Sequence, residues 1–175
     1  IIDRLVELQA THGNIRDKEA YKKGLYERED EGSTYVDNGI TVPHAKCDCV
    51  TRPSLAALRL KTPVQYNAED DGKTDLLFAI AAPKNGSLHV DMLARMMQML
   101  MNEDFVEKLR AAKTPAAFLD AIDAQEDAQF GEMLEGLKGE GETAVKKMAN
   151  PIENTINSAI QKLGVFALGA SKKSA

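Results

Sequence analysis

Basic clusters are missing from this chain of 175 residues, whose net charge is −5. With no block of Lys or Arg, nucleic-acid binding has little electrostatic support. Long apolar runs are missing as well, and nothing in the sequence is suited to span a bilayer. No signal peptide is visible at Ile1, where "IIDRLVELQ" reads as an amphipathic segment. The chain does not begin with Met, which reads as a cut chain or an excised domain. Cysteine is scarce: Cys47 and Cys49 are the two, with one residue between them. That spacing suits a disulfide poorly and differs from the two-residue spacing of redox and zinc motifs. His44 lies close by, but a structural zinc site needs more ligands than this cluster offers. The expectation is therefore no metal and two reduced thiols in a cytoplasmic protein. Histidine is nearly as scarce, limited to His12, His44 and His89.

What the chain does have is a hydrophobic fraction of 43%, enough for a core and against wholesale disorder. The length suits one domain with a tail. Asp17 to Glu29 reads as a helix with Asp17 as N-cap. "EGSTYVDNGITVPH" reads as loop, short strand, tight turn and short strand, because an Asn-Gly pair between strand-like runs signals a hairpin. Pro43 should end the second strand and leave His44 where the sheet gives way to a loop. "SLAALRL" from Ser54 to Leu60 is a third strand candidate, a helix by composition equally well, kept short by Pro53 and Pro63. Thr74 to Pro83 is almost continuously apolar and reads as a central strand buried on both faces.

Helices follow. Leu88, Met92, Leu93, Met96, Met99 and Leu100 form a helical stripe that reads as core packing. Phe105, Val106 and Leu109 start another helix. Thr114 caps a further one, with Pro115 in its first turn. Strands interleaved with helices predict an α/β layered domain ending near Asp123. The remainder, 125–175, reads as a linker and an appended amphipathic helix with Ile152, Ile156, Ile160 and Leu163 on one face. "GASKKSA" reads as a frayed end.

Chemistry concentrates on two histidines. His12 precedes a glycine turn and reads as a solvated loop residue. His44 and His89 each follow a predicted strand. If the strands ending at Val42 and Ala82 are parallel neighbours, both rings meet at one sheet edge; otherwise His89 simply begins a helix. A neutral imidazole is a competent nucleophile at physiological pH. It can accept a phosphoryl group and pass it on, a reaction that needs chiefly positioning and charge stabilisation. Arg28, Ser33 and Thr34 supply donors upstream, and the guanidinium fork suits phosphoryl oxygens. Ser33 and Thr34 could equally be only a turn.

"YEREDEGSTYVDNGITVPHAK" resembles the signature of the enzyme IIA domain of the bacterial phosphoenolpyruvate-dependent sugar phosphotransferase system, fructose–mannitol class. Arg28, Glu29, Ser33, Thr34, Asn38, Gly39, Ile40, Pro43 and His44 match the family pattern. Thr41 and Val42 are mild departures, and Tyr35 and Val36 stand where many members have Gly and Ile. The resemblance covers positions 1–124. It implies an α/β fold with a mixed sheet flanked by helices on both faces. It implies that His44 is the phosphorylated histidine, accepting from phosphorylated HPr and donating to an enzyme IIB domain during fructose-type uptake. His89 would be the second active-site histidine and Arg28 the arginine beside it. No cofactor is implied, and the membrane is reached only through the permease component. Nitrogen-type members, which act by phosphorylation-dependent partner binding, share the motif and remain the alternative.

Overall fold

The computed structural model describes residues 1–11, 13–136 and 166–168. The chain opens with helix α1 (Ile2–Ala10) and helix α2 (Lys18–Asp30). Asp17 is the N-cap of α2, its carboxylate accepting from the Ala20 N–H at 2.9 Å, as its acidic side chain before a helical run predicts. Strands β1 (Tyr35–Asp37) and β2 (Ile40–Thr41) form the expected antiparallel hairpin. Its turn residues Asn38 and Gly39 both have positive φ, 47° and 78°, the combination that matches the twist of a two-residue hairpin.

Strand β3 (His44–Lys46) resumes immediately after Pro43, contrary to the expectation of a loop there. Proline removes only an N–H and keeps its carbonyl. The Pro43 oxygen accepts from the Ile80 N–H at 2.9 Å, so pairing continues through it. Strands β4 (Ser54–Val64) and β5 (Thr74–Ala82) complete the centre. Pro63 does not cut β4 short either. The ladder is irregular between Arg59 and Val64, and Lys61, Thr62 and Pro63 are exposed, so the missing donor costs nothing buried.

The central strand is β5, with β2 and β3 parallel to it on one side and β4 antiparallel on the other. Strand β6 (Phe166–Leu168) pairs in parallel with β4, giving a six-stranded mixed sheet. The sequence reading does not foresee β6, whose three residues carry too short a pattern to separate from a helix end. The amphipathic helix expected near 150–163 lies outside the described residues, as does His12.

Alternation along β5 divides the core. Leu76, Phe78 and Ile80 face one layer, with helices α3 (Leu88–Leu100), α4 (Glu103–Ala111) and α5 (Pro115–Gly136). Leu77, Ala79 and Ala81 face the other, where α1 and α2 pack. The methionine stripe is core, with Met92, Met96 and Met99 buried against the first layer. Among the described residues no helix is long and apolar enough to cross a membrane.

Candidate active site

Strand β3 sets the direction of His44. Ala45 packs against α2, where a Cβ on Gly24 would come within 3.4 Å of the Ala45 methyl. Its neighbours His44 and Lys46 therefore turn to the opposite face, toward α3. The parallel register His44↔Ile80 places that face near the end of β5, from which the chain leads into α3. The neighbouring parallel strands on which a joint site depends are thus present.

His44 is half-buried and held at both ring nitrogens. Nδ1 lies 2.8 Å from the Val42 carbonyl oxygen. A carbonyl can only accept, so the proton sits on Nδ1 and the lone pair on Nε2. Arg28 Nε donates to that Nε2 at 3.0 Å. Arg28 comes from the last turn of α2, and its Nη1 donates to the Gly32 carbonyl at 2.9 Å, which fixes the guanidinium. Burial lowers the His44 pKa below its ordinary value of 6.5, the Val42 hydrogen bond opposes this, and the Arg28 charge adds to the lowering. The ring is neutral and nucleophilic at physiological pH.

His89 lies in the first turn of α3. Its Nδ1 is buried with no hydrogen-bond partner among the described residues. Its pKa is also lowered, first by burial, then by the charges of Lys46 and His44. The two imidazoles are thus electrostatic neighbours, and Lys46 adds a cation to the same face.

Ser33 and Thr34 sit beside this cluster with both hydroxyls engaged. Thr34 is buried, and its N–H and hydroxyl donate to the Glu29 carboxylate. The Ser33 hydroxyl donates to Asp70 and accepts from the Tyr35 N–H at 3.0 Å. Asn67 Nδ2 donates to Glu29 Oε1 at 2.9 Å. Glu29 thus anchors the loop that Arg28 also grips. Asn67 and Asp70 escape sequence reasoning because "YNAEDD" has ordinary loop composition; Glu29 carries a signal only through its place next to Arg28.

Cys47 and Cys49, expected to be free thiols, are joined as a disulfide. The chain turns back at Asp48, with the Val50 N–H donating to the Cys47 carbonyl at 3.0 Å, and the two Cα atoms stand 5.0 Å apart. That separation lies within disulfide range, which sequence spacing alone does not disclose. No group of His, Cys, Asp and Glu suited to hold a metal is found among the described residues.

Residues 1–125 match the family model described as "Phosphoenolpyruvate-dependent sugar phosphotransferase system, EIIA 2". A fructose-specific EIIA component from Haloferax volcanii is 36% identical over 122 residues, covering 69% of this chain and 79% of that protein. A nitrogen regulatory protein from Pseudomonas aeruginosa is 30% identical over 123 residues, covering 70% of this chain and 80% of that protein. A fructose-specific EIIABC component from Bacillus subtilis is 34% identical over 123 residues, 70% of this chain, but the match spans only 19% of that longer protein. Among solved structures, the complex of the Escherichia coli mannitol enzyme IIA with its phosphorylated enzyme IIB matches in fold, with TM-score 0.61, 22% identity, and coverage of 70% of this chain and 85% of that one. The chain belongs to the EIIA type 2 family of the phosphoenolpyruvate-dependent sugar phosphotransferase system.

Proposed function

We propose that this chain is a phosphocarrier, and that His44 carries the phosphoryl group on Nε2. The observation behind this reading is the tautomer: the Val42 carbonyl holds the Nδ1 proton and leaves Nε2 with its lone pair at the Arg28 guanidinium. In the forward step Nε2 attacks phosphorus of phosphorylated HPr. The P–N bond of the donor breaks and its electron pair returns to the donor imidazole. The Nδ1 proton stays in place, and the Val42 carbonyl stabilises the positive character that the phosphorylated ring acquires. Arg28 gives up its bond to Nε2 and takes phosphoryl oxygens instead, an exchange that a guanidinium fork suits. His89 and Lys46 support the charge from the α3 side. In the second step a nucleophile of an enzyme IIB domain attacks the same phosphorus, and Nε2 leaves.

Ser33 and Thr34 enter this reading through position, since their hydroxyls are committed to Asp70 and Glu29. Direct contact with the phosphoryl group would require them to give up those bonds. The chain acts in the cytoplasm and meets the membrane only through the permease component.

Incubation with phosphoenolpyruvate, enzyme I and HPr tests the reading. Acid-labile phosphate should map to His44; label elsewhere with His44 unmodified overturns it. A nitrogen-type regulatory role is the second reading, favoured by the Pseudomonas aeruginosa relative. Rapid onward transfer to a fructose-class enzyme IIB decides for sugar uptake, whereas labelled His44 without onward transfer decides for regulation.

A further inference from the structure

We propose that Cys47–Cys49 is a reversible thiol–disulfide exchange site, reacting at Cys47 with a dithiol, and that its oxidation state is felt at the His44 imidazole. The pair is built asymmetrically. Cys49 is buried in the cluster of Ile2, Val6, Ile15, Tyr21, Leu25, Ala45 and Val50. Cys47 is only partly buried at the rim of that cluster, next to exposed Asp48. Access therefore favours attack at the Cys47 sulfur. Cys47 Sγ also accepts from the Cys49 N–H at 3.1 Å. That donor stabilises the Cys47 thiolate once it is released, the form that acts as nucleophile in reoxidation.

The chemistry balances with a dithiol as the two-electron reductant. Its thiolate attacks Cys47 Sγ, the Cys47–Cys49 bond breaks, and the electron pair leaves on Cys49 Sγ, which takes a proton. The second thiol of the reductant then attacks the mixed disulfide and releases Cys47. The products are two cysteine thiols and one cyclic or protein disulfide. Reoxidation runs the same steps backward, with the Cys47 thiolate as nucleophile and a disulfide of the same class as oxidant.

Opening the pair need not unfold this corner. The Cys47 N–H remains bonded to the Ala82 carbonyl at 3.0 Å, and the Arg16 N–H to the Cys49 carbonyl at 2.8 Å. Ile15 and Val50 form an antiparallel bridge across the same segment. What changes is packing. The sulfurs share a cluster with Tyr21 and Leu25, the buried face of α2, and with Ala45, the residue after His44. Arg28 follows Leu25 by three positions on α2, close to one helical turn. A shift in that cluster reaches His44 from two sides, through β3 directly and through the Arg28 guanidinium at Nε2.

The test uses the whole chain with ¹⁵N-labelled histidine and dithiothreitol, reduced and oxidised, as the probe. Neither a phosphoryl donor nor enzyme IIB is present, so failure of the phosphocarrier reading leaves this result untouched. The expected result is a reversible mass gain of two hydrogens, with the His44 ring nitrogen resonances moving between two positions in step with it. The doubly substituted Cys47→Ser/Cys49→Ser variant should sit at the reduced position and ignore the probe. With oxidised glutathione, a linear disulfide, in place of dithiothreitol, Cys49→Ser should form a mixed disulfide about tenfold faster than Cys47→Ser, from the difference in access. Cysteines that stay as thiols at every probe ratio overturn the proposal. So do His44 resonances that do not move, or equal capture by the two single variants. Because the wild type is itself read in both states, a variant that misfolds does not decide the matter.

Discussion

At the scale of residues, the site is a neutral imidazole with its lone pair aimed at a cation. That arrangement has a pH signature. The folded pKa of His44 is lowered from 6.5, so the protonated ring is disfavoured in the folded state. The unfolded chain binds more protons at this position below that pH. Stability attributable to His44 is therefore unaffected well above 6.5 and declines as pH falls through it. Phosphoryl acceptance should be flat from about pH 8 to 7 and decline only below the ordinary imidazole value of 6.5. Initial rates of labelling by phosphorylated HPr across that range check this; a rate that already halves between 8 and 7 contradicts the neutral, buried ring. Arg28→Lys should slow both acceptance and onward transfer by about tenfold or more, because an ammonium cannot hold the Gly32 carbonyl and the phosphoryl oxygens together. His89→Ala should still allow His44 to be labelled while slowing onward transfer. Single-turnover rates of the two half-reactions separate these effects, and unchanged rates in both variants would remove both residues from the site.

At the scale of elements, the hairpin before His44 is the part most sharply specified by local chemistry. Asn38-Gly39 carries two positive φ values, and a Cβ on Gly39 would lie 2.6 Å from Asp75 Oδ1 and 2.9 Å from Arg110 Nη2. Those two side chains are not free to swing aside. Arg110 donates to Asp75 at 2.9 Å through Nε, and its Nη2 donates to the Asn38 carbonyl. Gly39→Ala should therefore cost about 2 kcal/mol, the sum of a left-handed penalty and a displaced ion pair. Urea unfolding monitored by circular dichroism measures it, and a cost within error of zero would mean that the turn relaxes freely. This element was legible because Asn-Gly between β-branched runs has one dominant solution. The central strand β5 was legible because a continuous apolar run of strand length needs both faces covered. The passage of the sheet through Pro43 was not. Proline's rule concerns its missing donor, and whether that donor is needed depends on which neighbour the strand meets. Disulfide formation by Cys47 and Cys49 was hidden for a similar reason, since it depends on the turn at Asp48. The partners of the Ser33-Thr34 motif were hidden too: Asp70 and Asn67 lie 37 and 38 residues from the Ser33 and Glu29 groups they bond.

At the scale of the whole molecule, the question is where the folded unit ends. The family match stops at 125, and the sequence alone suggested a boundary at 124. Helix α5 runs through both positions to Gly136. Glu126, just past the boundary, has a side chain 2% exposed and pairs with Arg95 of α3 at 3.2 Å, itself only 13% exposed. Phe118 and Ile122, about two turns and one turn earlier on α5, are buried in the core beside α3, so this pair continues the same helix–helix contact. Removing one member of a buried ion pair costs about 3–5 kcal/mol, because the other charge is left without compensation. Replacing both by apolar residues of similar size should cost far less, since the desolvation of both charges is relieved together. Within a chain cut after residue 136, Glu126→Ala should therefore destabilise by about 3 kcal/mol, and the double variant Arg95→Leu/Glu126→Leu should recover most of that loss. A chain cut after residue 124 should unfold at lower urea than one cut after 136, with a similar slope. Equal midpoints for the two lengths would mean that residues 125–136 add nothing to the cooperative unit and make that part of α5 an appendage. A deficit that tracks the Glu126→Ala variant would assign the first turn beyond the family match to the core that supports α3, and with it the helix that presents His89.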